Sequence, residues 1–145
     1  MIIRWETMRK ELGRLITLHT ISDPRGNLTV AEENIELPFD LKRAYWIFDV
    51  PPGGNRGGHA HKRLRQVIVA VNGSFTVSLD NGKEKKRYLL NNPEEGLLID
   101  TEIWRTLDDF SSGAICLVLA SELYNPDDYL YDYDEFLEYI KQQNG

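Results

Sequence analysis

The residues best suited to chemistry are two histidines, His59 and His61, in the segment Arg56-Gly-Gly-His-Ala-His-Lys62. If this segment is extended, both imidazoles leave the same face of a strand, because side chains alternate along it. Two adjacent imidazoles can bind a metal ion, transfer protons or simply pack in a core. A pair at strand spacing, three residues after an arginine and flanked by glycines, favours a functional interpretation. We therefore predict an active site at this point.

Short segments rich in β-branched and aromatic residues surround the histidines and predict strands. Asn72-Gly73 and Asn81-Gly82 are tight-turn signals between such segments. Residues 66–71 are almost wholly apolar, which is typical of a strand buried on both faces. The series predicts an all-β sandwich or barrel, and a jelly roll fits it. The predicted strands cover residues 14–21, 28–31, 42–50, 58–62, 66–71, 74–79, 86–90, 97–99, 104–107 and 114–120.

The two ends of the chain have a different pattern. Residues 6–12 are compatible with a short helical turn. Residues 132–140 predict a short C-terminal helix, with Asp132 as its cap and Phe136, Leu137 and Ile140 at helical spacing. The tyrosines of this tail are expected to cover the barrel or to form a subunit contact. Because no repeat or linker interrupts the 145 residues, we expect a single domain, residues 1–145.

Composition argues against several classes of function. The net charge of −6 does not favour a nucleic-acid partner. No apolar run approaches the roughly 20 residues that span a bilayer, and the first residues lack a signal-peptide pattern. Cys116 is the single cysteine and is expected to be a buried apolar residue rather than half of a disulfide. These features predict a cytoplasmic protein with no nucleic-acid or membrane partner.

The histidine segment resembles a known motif. Five residues have the spacing of the first cupin motif, namely Gly53, His59, His61, Gln66 and Gly73. Cupins are small jelly-roll barrels with the site inside, and their metal-binding members have Glu at the position of Gln66 and a third His where Arg105 stands here. Two neutral imidazoles and a guanidinium make a poor site for a divalent cation. We therefore predict no metal and no other cofactor.

A second resemblance covers nearly the whole chain. In order, it rests on Asp23-Pro-Arg-Gly26, Leu37-Pro-Phe-Asp-Leu-Lys-Arg43, Arg56–Lys62, Gln66-Val67, Asn72-Gly-Ser74, Gly96-Leu97, Trp104, Asp109-Phe-Ser-Ser112, Leu119-Ala-Ser-Glu-Leu-Tyr124 and Asp128-Tyr129. With these segments the chain is similar to the dTDP-sugar 3,4-ketoisomerases, metal-free cupins that act on dTDP-4-keto-6-deoxyglucose. It departs from many members at Arg65, where Glu is frequent. At the position of Arg105, some members have Arg and others have His.

The resemblance implies an isomerase of deoxysugar biosynthesis, on the route to 3-amino-3,6-dideoxyhexoses, that moves a keto group from C4 to C3 of a dTDP-linked 4-keto-6-deoxyhexose. The neighbouring carbonyl acidifies the C3 proton, so a base can remove it to form an enediol, and reprotonation at C4 completes the exchange. The reaction needs a base with a pKa near 7 and donors for the developing oxyanion. The fold of the family also implies a homodimer.

Residue chemistry and the resemblance together suggest roles. His59 is expected to be the base at C3 and His61 the partner that moves protons between the oxygens and C4, although the sequence leaves the reverse assignment open. Tyr45 either donates to the enediolate, acting as an acid, or only lines the barrel. Five residues are candidates for binding the pyrophosphate, the sugar or the groups of the site, namely Arg25, Arg43, Arg56, Gln66 and Arg105.

Three alternatives stay open at this point. A sugar-nucleotide 3,5-epimerase also uses a histidine base, but it normally pairs that histidine with an Asp and a Tyr elsewhere and lacks the His-x-His pair. A cupin could also bind a sugar nucleotide without turnover, or act as a metal-dependent dioxygenase. Deuterium from D2O separates the two isomerisation chemistries, since an epimerase labels C3 and C5 and a ketoisomerase labels C4.

Overall fold

The computed structural model describes residues 11–144. This part of the chain is mostly strands and ends in one helix, α1 (Tyr133–Asn144). The strands are β1 (Arg14–Thr17), β2 (His19–Asp23), β3 (Gly26–Val30), β4 (Arg43–Phe48), β5 (Arg56–His61), β6 (Gln66–Asn72), β7 (Phe75–Asp80), β8 (Lys85–Leu90), β9 (Glu95–Ile99), β10 (Trp104–Asp108), β11 (Ile115–Ala120) and β12 (Tyr129–Leu130).

The strands form two five-stranded antiparallel sheets. The first has the order β1-β9-β6-β11-β4 and the second the order β12-β5-β10-β7-β8, while β2 and β3 form a separate hairpin. The inner faces of the two sheets share one apolar core, in which Ile68 and Val118 of the first sheet pack with Val77 and Leu107 of the second. The architecture confirms the predicted all-β jelly roll with a short C-terminal helix.

Strand β6 lies in the middle of the first sheet and is buried on both faces, as its apolar run predicts. Ile68 and Ala70 point into the core between the sheets. Val67 and Val69 point outward, where Leu37 and Phe39 of the β3–β4 connection cover them. The side chains of both faces are therefore removed from water, which explains why this strand has no alternation of polar and apolar residues.

Helix α1 packs on the outer face of the second sheet. Phe136 is fully buried in a cluster with Ala60 of β5 and Leu130 of β12. Asp132 caps the helix, because its side chain accepts the backbone N–H of Glu135 at 3.0 Å. Since Ala60 faces the helix, alternation along β5 turns its neighbours His59 and His61 toward the interior.

The structure differs from the sequence prediction at three places. The predicted strand over residues 14–21 is divided at Leu18 into β1, which pairs with β9, and β2, which pairs with β3. The N–H of Leu18 donates to the carbonyl of Glu94 at this break. Strand β12 was not predicted, because a two-residue strand has no periodicity to read. Residues 6–10 of the predicted helical turn lie outside the described residues, and residues 11 and 12 are not helical.

Within the described chain, no helix is long and apolar enough to cross a membrane.

Candidate active site

Two glycines decide how β5 presents its histidines. The pairing of β5 with β10 shifts by one residue, so that Arg105 faces His59 but the next residue, Thr106, faces Gly57. Gly57 and Gly58 both have positive φ, 89° and 70°. A Cβ on Gly57 would also lie 3.0 Å from the carbonyl oxygen of Arg105. The segment therefore needs glycine on conformational and steric grounds, and the bulge redirects the strand just before the imidazoles.

The two imidazoles lie together inside the barrel, as the spacing predicts. Their ring centroids are 4.8 Å apart with the rings nearly perpendicular. His61 is fully buried and His59 is half-buried. The Nε2 atom of each ring is buried and has no hydrogen-bond partner among residues 11–144. Each histidine therefore offers one ring nitrogen for exchange with a bound molecule.

Burial keeps both histidines in the neutral form. Burial lowers the pKa of His59 to about 4, and the charge of the Arg105 guanidinium acts in the same direction. The backbone of Gly57 raises this pKa by a smaller amount. Burial is also the main cause that lowers the pKa of His61, followed by the charges of Arg105, His59 and Arg43. The carboxylate of Asp128 lies 3.0 Å from its Nδ1 atom. Neutral imidazoles are proton acceptors, so the pair can act as bases at neutral pH.

Strand β4 supplies the other side of the site. Its burial alternates, so Arg43, Tyr45 and Ile47 turn toward the interior while Trp46 and Phe48 are exposed. Burial raises the pKa of Tyr45, as does Tyr129, although Arg105 and Arg43 lower it. The phenol therefore keeps its proton at neutral pH and can donate a hydrogen bond.

The guanidinium of Arg43 is held over aromatic rings rather than by acceptors. Its central carbon lies 5.1 Å from the ring centroid of Tyr45 and 5.6 Å from that of Tyr124. Its Nε and Nη2 atoms are buried, with no hydrogen-bond partner within residues 11–144. Ring stacking fixes the planar group and leaves these donors available to an anion.

Arg43, Tyr45 and His59 meet in one cavity of about 480 Å³ at the mouth of the barrel, whereas the fully buried His61 contacts His59 and does not line it. Four of the predicted site residues line it: Arg43, Tyr45, Arg56 and His59. The wall also contains residues that the sequence interpretation did not select, namely Ile47, Asn55, Gly57, Tyr129 and Tyr131. Tyr129 and Tyr131 are stacked with centroids 5.2 Å apart, so Tyr129 of the short strand β12 and Tyr131 just after it contribute to the site. The resemblance contained Asp128-Tyr129, and that was the available signal.

Arg105 and Gln66 form a buried pair behind this cavity. Arg105 is 1% exposed and Gln66 is 2% exposed. Nη1 of Arg105 donates to Oε1 of Gln66 at 3.0 Å, and its Nε and Nη2 donate to the carbonyl of Ile103. Burial lowers the pKa of Arg105 to about 10, so it remains a cation at neutral pH. This fixed positive charge beside His59 can stabilise an anion that forms in the site.

Arg25 does not line the cavity and lies on an exposed turn. It lies in the turn of the β2–β3 hairpin, and its side chain is 90% exposed. Its Nη2 donates to Oδ2 of Asp23 at 2.7 Å, and its backbone N–H donates to Oδ1 of the same residue.

The described residues contain no group of three or more His, Cys, Asp or Glu side chains that could hold a metal ion. The positions where metal-binding cupins have their further ligands are occupied by the bonded pair of Gln66 and Arg105. A cation at this point disfavours a second cation, so the side chains present suit an anionic intermediate better than a divalent metal.

Comparison with known proteins agrees with this site. The model of the family described as FdtA: WxcM-like, C-terminal matches residues 11–141. The curated TDP-4-oxo-6-deoxy-alpha-D-glucose-3,4-oxoisomerase of Aneurinibacillus thermoaerophilus is 43% identical over 132 residues, which are 91% of this chain and 95% of the relative. The chain belongs to this family.

Solved structures give the same result. A histidine-to-asparagine variant of the 3,4-ketoisomerase QdtA from Thermoanaerobacterium thermosaccharolyticum, in complex with TDP-4-keto-6-deoxyglucose, has a TM-score of 0.89 and 39% identity, covering 93% of this chain and 98% of that one. The WlaRB TDP-quinovose 3,4-ketoisomerase from Campylobacter jejuni has a TM-score of 0.84 and 44% identity, covering 87% of this chain and 97% of that one.

An epimerase is similar in fold alone. NovW, a 4-keto-6-deoxy sugar epimerase from Streptomyces spheroides, has a TM-score of 0.68 and 19% identity, covering 82% of this chain and 68% of that one. The structure does contain a His–Asp pair, His61 with Asp128, so this feature does not separate the two classes of enzyme here. The His-x-His segment and the higher identity to ketoisomerases separate them.

Proposed function

We propose that this protein is a 3,4-ketoisomerase that converts dTDP-4-keto-6-deoxyglucose into its 3-keto isomer by histidine acid–base catalysis. The observation that carries the proposal is a pair of neutral imidazoles, His59 and His61, each with a buried, uncommitted Nε2 atom, at a cavity that His59 lines together with Arg43 and Tyr45. The relatives named above act on, or bind, the same class of sugar nucleotide.

The cavity has an anion-binding side and a proton-transfer side. Arg43 points buried N–H donors inward, and Arg56 lies at the exposed start of β5. These two guanidinium groups suit the pyrophosphate, since their planar forks match phosphate oxygens. The hexose then extends toward His59, and Tyr129 with Tyr131 provides an aromatic wall along its path.

The chemistry follows from the protonation states. His59 is neutral and lines the cavity, so its Nε2 takes the proton from C3 while the electrons of that C–H bond form the C3=C4 double bond. The charge that develops on the C4 oxygen is stabilised by the hydroxyl of Tyr45 and by the positive potential of Arg105. Gln66 keeps the Arg105 guanidinium in its orientation.

The test is to incubate the purified protein with dTDP-4-keto-6-deoxyglucose in D2O and to analyse the sugar by NMR. The expected product carries the carbonyl at C3 and deuterium at C4. Deuterium at C3 and C5 with the carbonyl still at C4 would indicate the epimerase instead. Binding of the nucleotide sugar without any exchange would indicate a non-catalytic binding protein.

We also propose that the enzyme is a homodimer in which the β2–β3 hairpin contributes to the site of the second copy. The hairpin stands apart from both sheets and exposes Ile21 and Leu28, 51% and 59%. Strand β4 lies at the end of its sheet in the described chain and exposes Trp46 and Phe48. Pairing these surfaces between two copies covers both and gives Arg25 a route to a substrate.

Light scattering after gel filtration tests this assembly, which predicts a mass of twice 16.8 kDa. Trp46→Lys is expected to give monomers, while Leu89→Lys, also at an exposed apolar position but on β8, is expected to leave the mass unchanged. A wild-type protein of single-chain mass would contradict the proposal. The cytoplasmic location inferred from the sequence stays a prediction.

A further inference from the structure

One buried carboxylate near the site has no role in the reaction as described so far. Asp128 is 3% exposed and ends a short 3₁₀ turn, Pro126–Asp128, that precedes β12. Its Oδ2 lies 3.0 Å from Nδ1 of His61. Its Oδ1 accepts the backbone N–H of Arg63 at 2.6 Å, and Oδ2 also accepts that of Leu64 at 3.3 Å. The carboxylate thus contacts both the imidazole and the turn that follows it.

These contacts determine which nitrogen of His61 carries the proton. Both carboxyl oxygens of Asp128 already accept backbone N–H groups, so this side chain faces the turn and the imidazole as a hydrogen-bond acceptor. The Nδ1 atom of His61 must then be the donor in the 3.0 Å hydrogen bond. In the neutral ring this leaves the lone pair on Nε2, the atom that is buried without a partner among residues 11–144.

His59 is held by a weaker kind of partner. The backbone of Gly57, a neutral group, is what raises its pKa. Its Nε2 has no partner in the described chain. Both rings thus present Nε2, but only His61 is backed by a full negative charge. A carboxylate stabilises a transient imidazolium more than a carbonyl does, because charge-assisted hydrogen bonds are roughly twice as strong.

We propose that Asp128 is the positioning residue of His61 and makes this imidazole the one that carries a proton between the two oxygens of the substrate. This rests on the ketoisomerase function proposed above. After His59 has taken the C3 proton, Nε2 of His61 accepts the proton of the C3 hydroxyl, and its N–H then delivers that proton to the C4 oxygen. The C4 carbon is protonated as the C3 oxygen forms its carbonyl bond. O3 loses one proton and O4 gains it, while C3 loses one to His59 and C4 gains one that exchanges with solvent on the way, so no oxidant is needed.

The first measurement is the tautomer of His61, read from the ¹⁵N chemical shifts of its ring by NMR, without substrate. The wild type is expected to show a protonated Nδ1 and a lone pair on Nε2. In Asp128→Asn, an amide donor replaces Oδ2, so we expect the tautomer to reverse. The amide oxygen can still accept the N–H of Arg63, which keeps the turn in place. A wild-type ring protonated on Nε2 would overturn the proposal, whether or not the variant folds.

The second measurement is kinetic. We expect Asp128→Asn to lower kcat by about 10²-fold or more with KM within about threefold, since a wrong tautomer removes a proton transfer and not a binding contact. The matched control is Ser121→Ala. The hydroxyl of Ser121 anchors the same turn by accepting the N–H of Arg65 at 2.8 Å, and none of its hydrogen bonds goes to His61. It should lower the melting temperature while leaving kcat and the tautomer unchanged.

A double-mutant cycle identifies the route of the effect. If Asp128 acts through His61, adding Asp128→Asn to a His61→Asn variant should lower kcat almost no further. Adding it to a His59→Asn variant should lower kcat by the same factor as in the wild type. Additive losses in the His61→Asn background, or equal losses for Ser121→Ala, would assign Asp128 a merely structural role. If the wild-type protein does not isomerise the sugar nucleotide, the proposed function fails, whereas the tautomer measurement still decides whether Asp128 positions His61.

Discussion

The pH dependence of kcat/KM tests the electrostatic account of the site most directly. The reaction needs a neutral His59, and burial together with Arg105 lowers its pKa to about 4, from 6.5 in water. At pH 5.5 an imidazole of pKa about 4 is about 97% neutral, and one of pKa 6.5 is about 9% neutral. The enzyme is therefore expected to keep nearly full kcat/KM at pH 5.5, about tenfold more than an ordinary histidine base would allow.

The assay is the initial rate at low substrate concentration between pH 4 and 8, because kcat/KM reports the ionisation of the free enzyme. His19→Asn is the matched control. This third histidine is exposed on β2, so its removal should leave the acid limb of the profile in place. Arg105→Met is expected to move the acid limb to higher pH, since the guanidinium lowers the pKa of His59. An acid limb near pH 6.5 in a folded wild-type enzyme would refute the reasoning.

Folding must be followed in the same buffers, because the shift is also a stability effect. The folded-state pKa of His59 is below its unfolded value, so the unfolded chain binds more protons between pH 6.5 and about 4. Stability is fully present above pH 6.5 and falls as the pH drops through this window. The loss of stability that this one group causes is on the order of 3 kcal/mol at pH 4 and about 1 kcal/mol at pH 5.5. His59→Asn should remove it, which chemical denaturation at both pH values can measure.

Three further predictions follow from the site. His59→Asn should lower kcat by at least about 10²-fold with a much smaller change in KM, and His61→Asn should also be severe; near-normal turnover in both would make the pair structural. Arg43→Ala should raise KM about tenfold or more with kcat less affected, whereas Arg87→Ala, a loss of an exposed arginine on β8, should change neither. Activity should persist in EDTA without stoichiometric metal by elemental analysis; loss on chelation with recovery on adding iron, manganese or zinc would contradict this.

The sequence by itself determined the strand pattern and the location of the reactive residues. Period-two alternation is a local property, so it placed His59 and His61 on one face and paired Arg43 with Tyr45 on one face of β4. Turn chemistry at Asn72-Gly73 located the hairpin between β6 and β7. The presence of Gln66 and Arg105 was also enough to question a metal site, because metal binding depends on which side chains occupy the ligand positions of the motif.

Tertiary structure decided how these residues are protonated and which others join them. Asp128 reaches His61 across 67 residues of chain, through a short turn and a two-residue strand that carry no periodic signal. The neutral state of the histidines depends on burial and on Arg105 opposite His59 in the β5–β10 pairing, and register between strands is a long-range property. Local residue types show which side chains can do chemistry, but the pKa and tautomer of each depend on the groups that the folded sheets bring beside it.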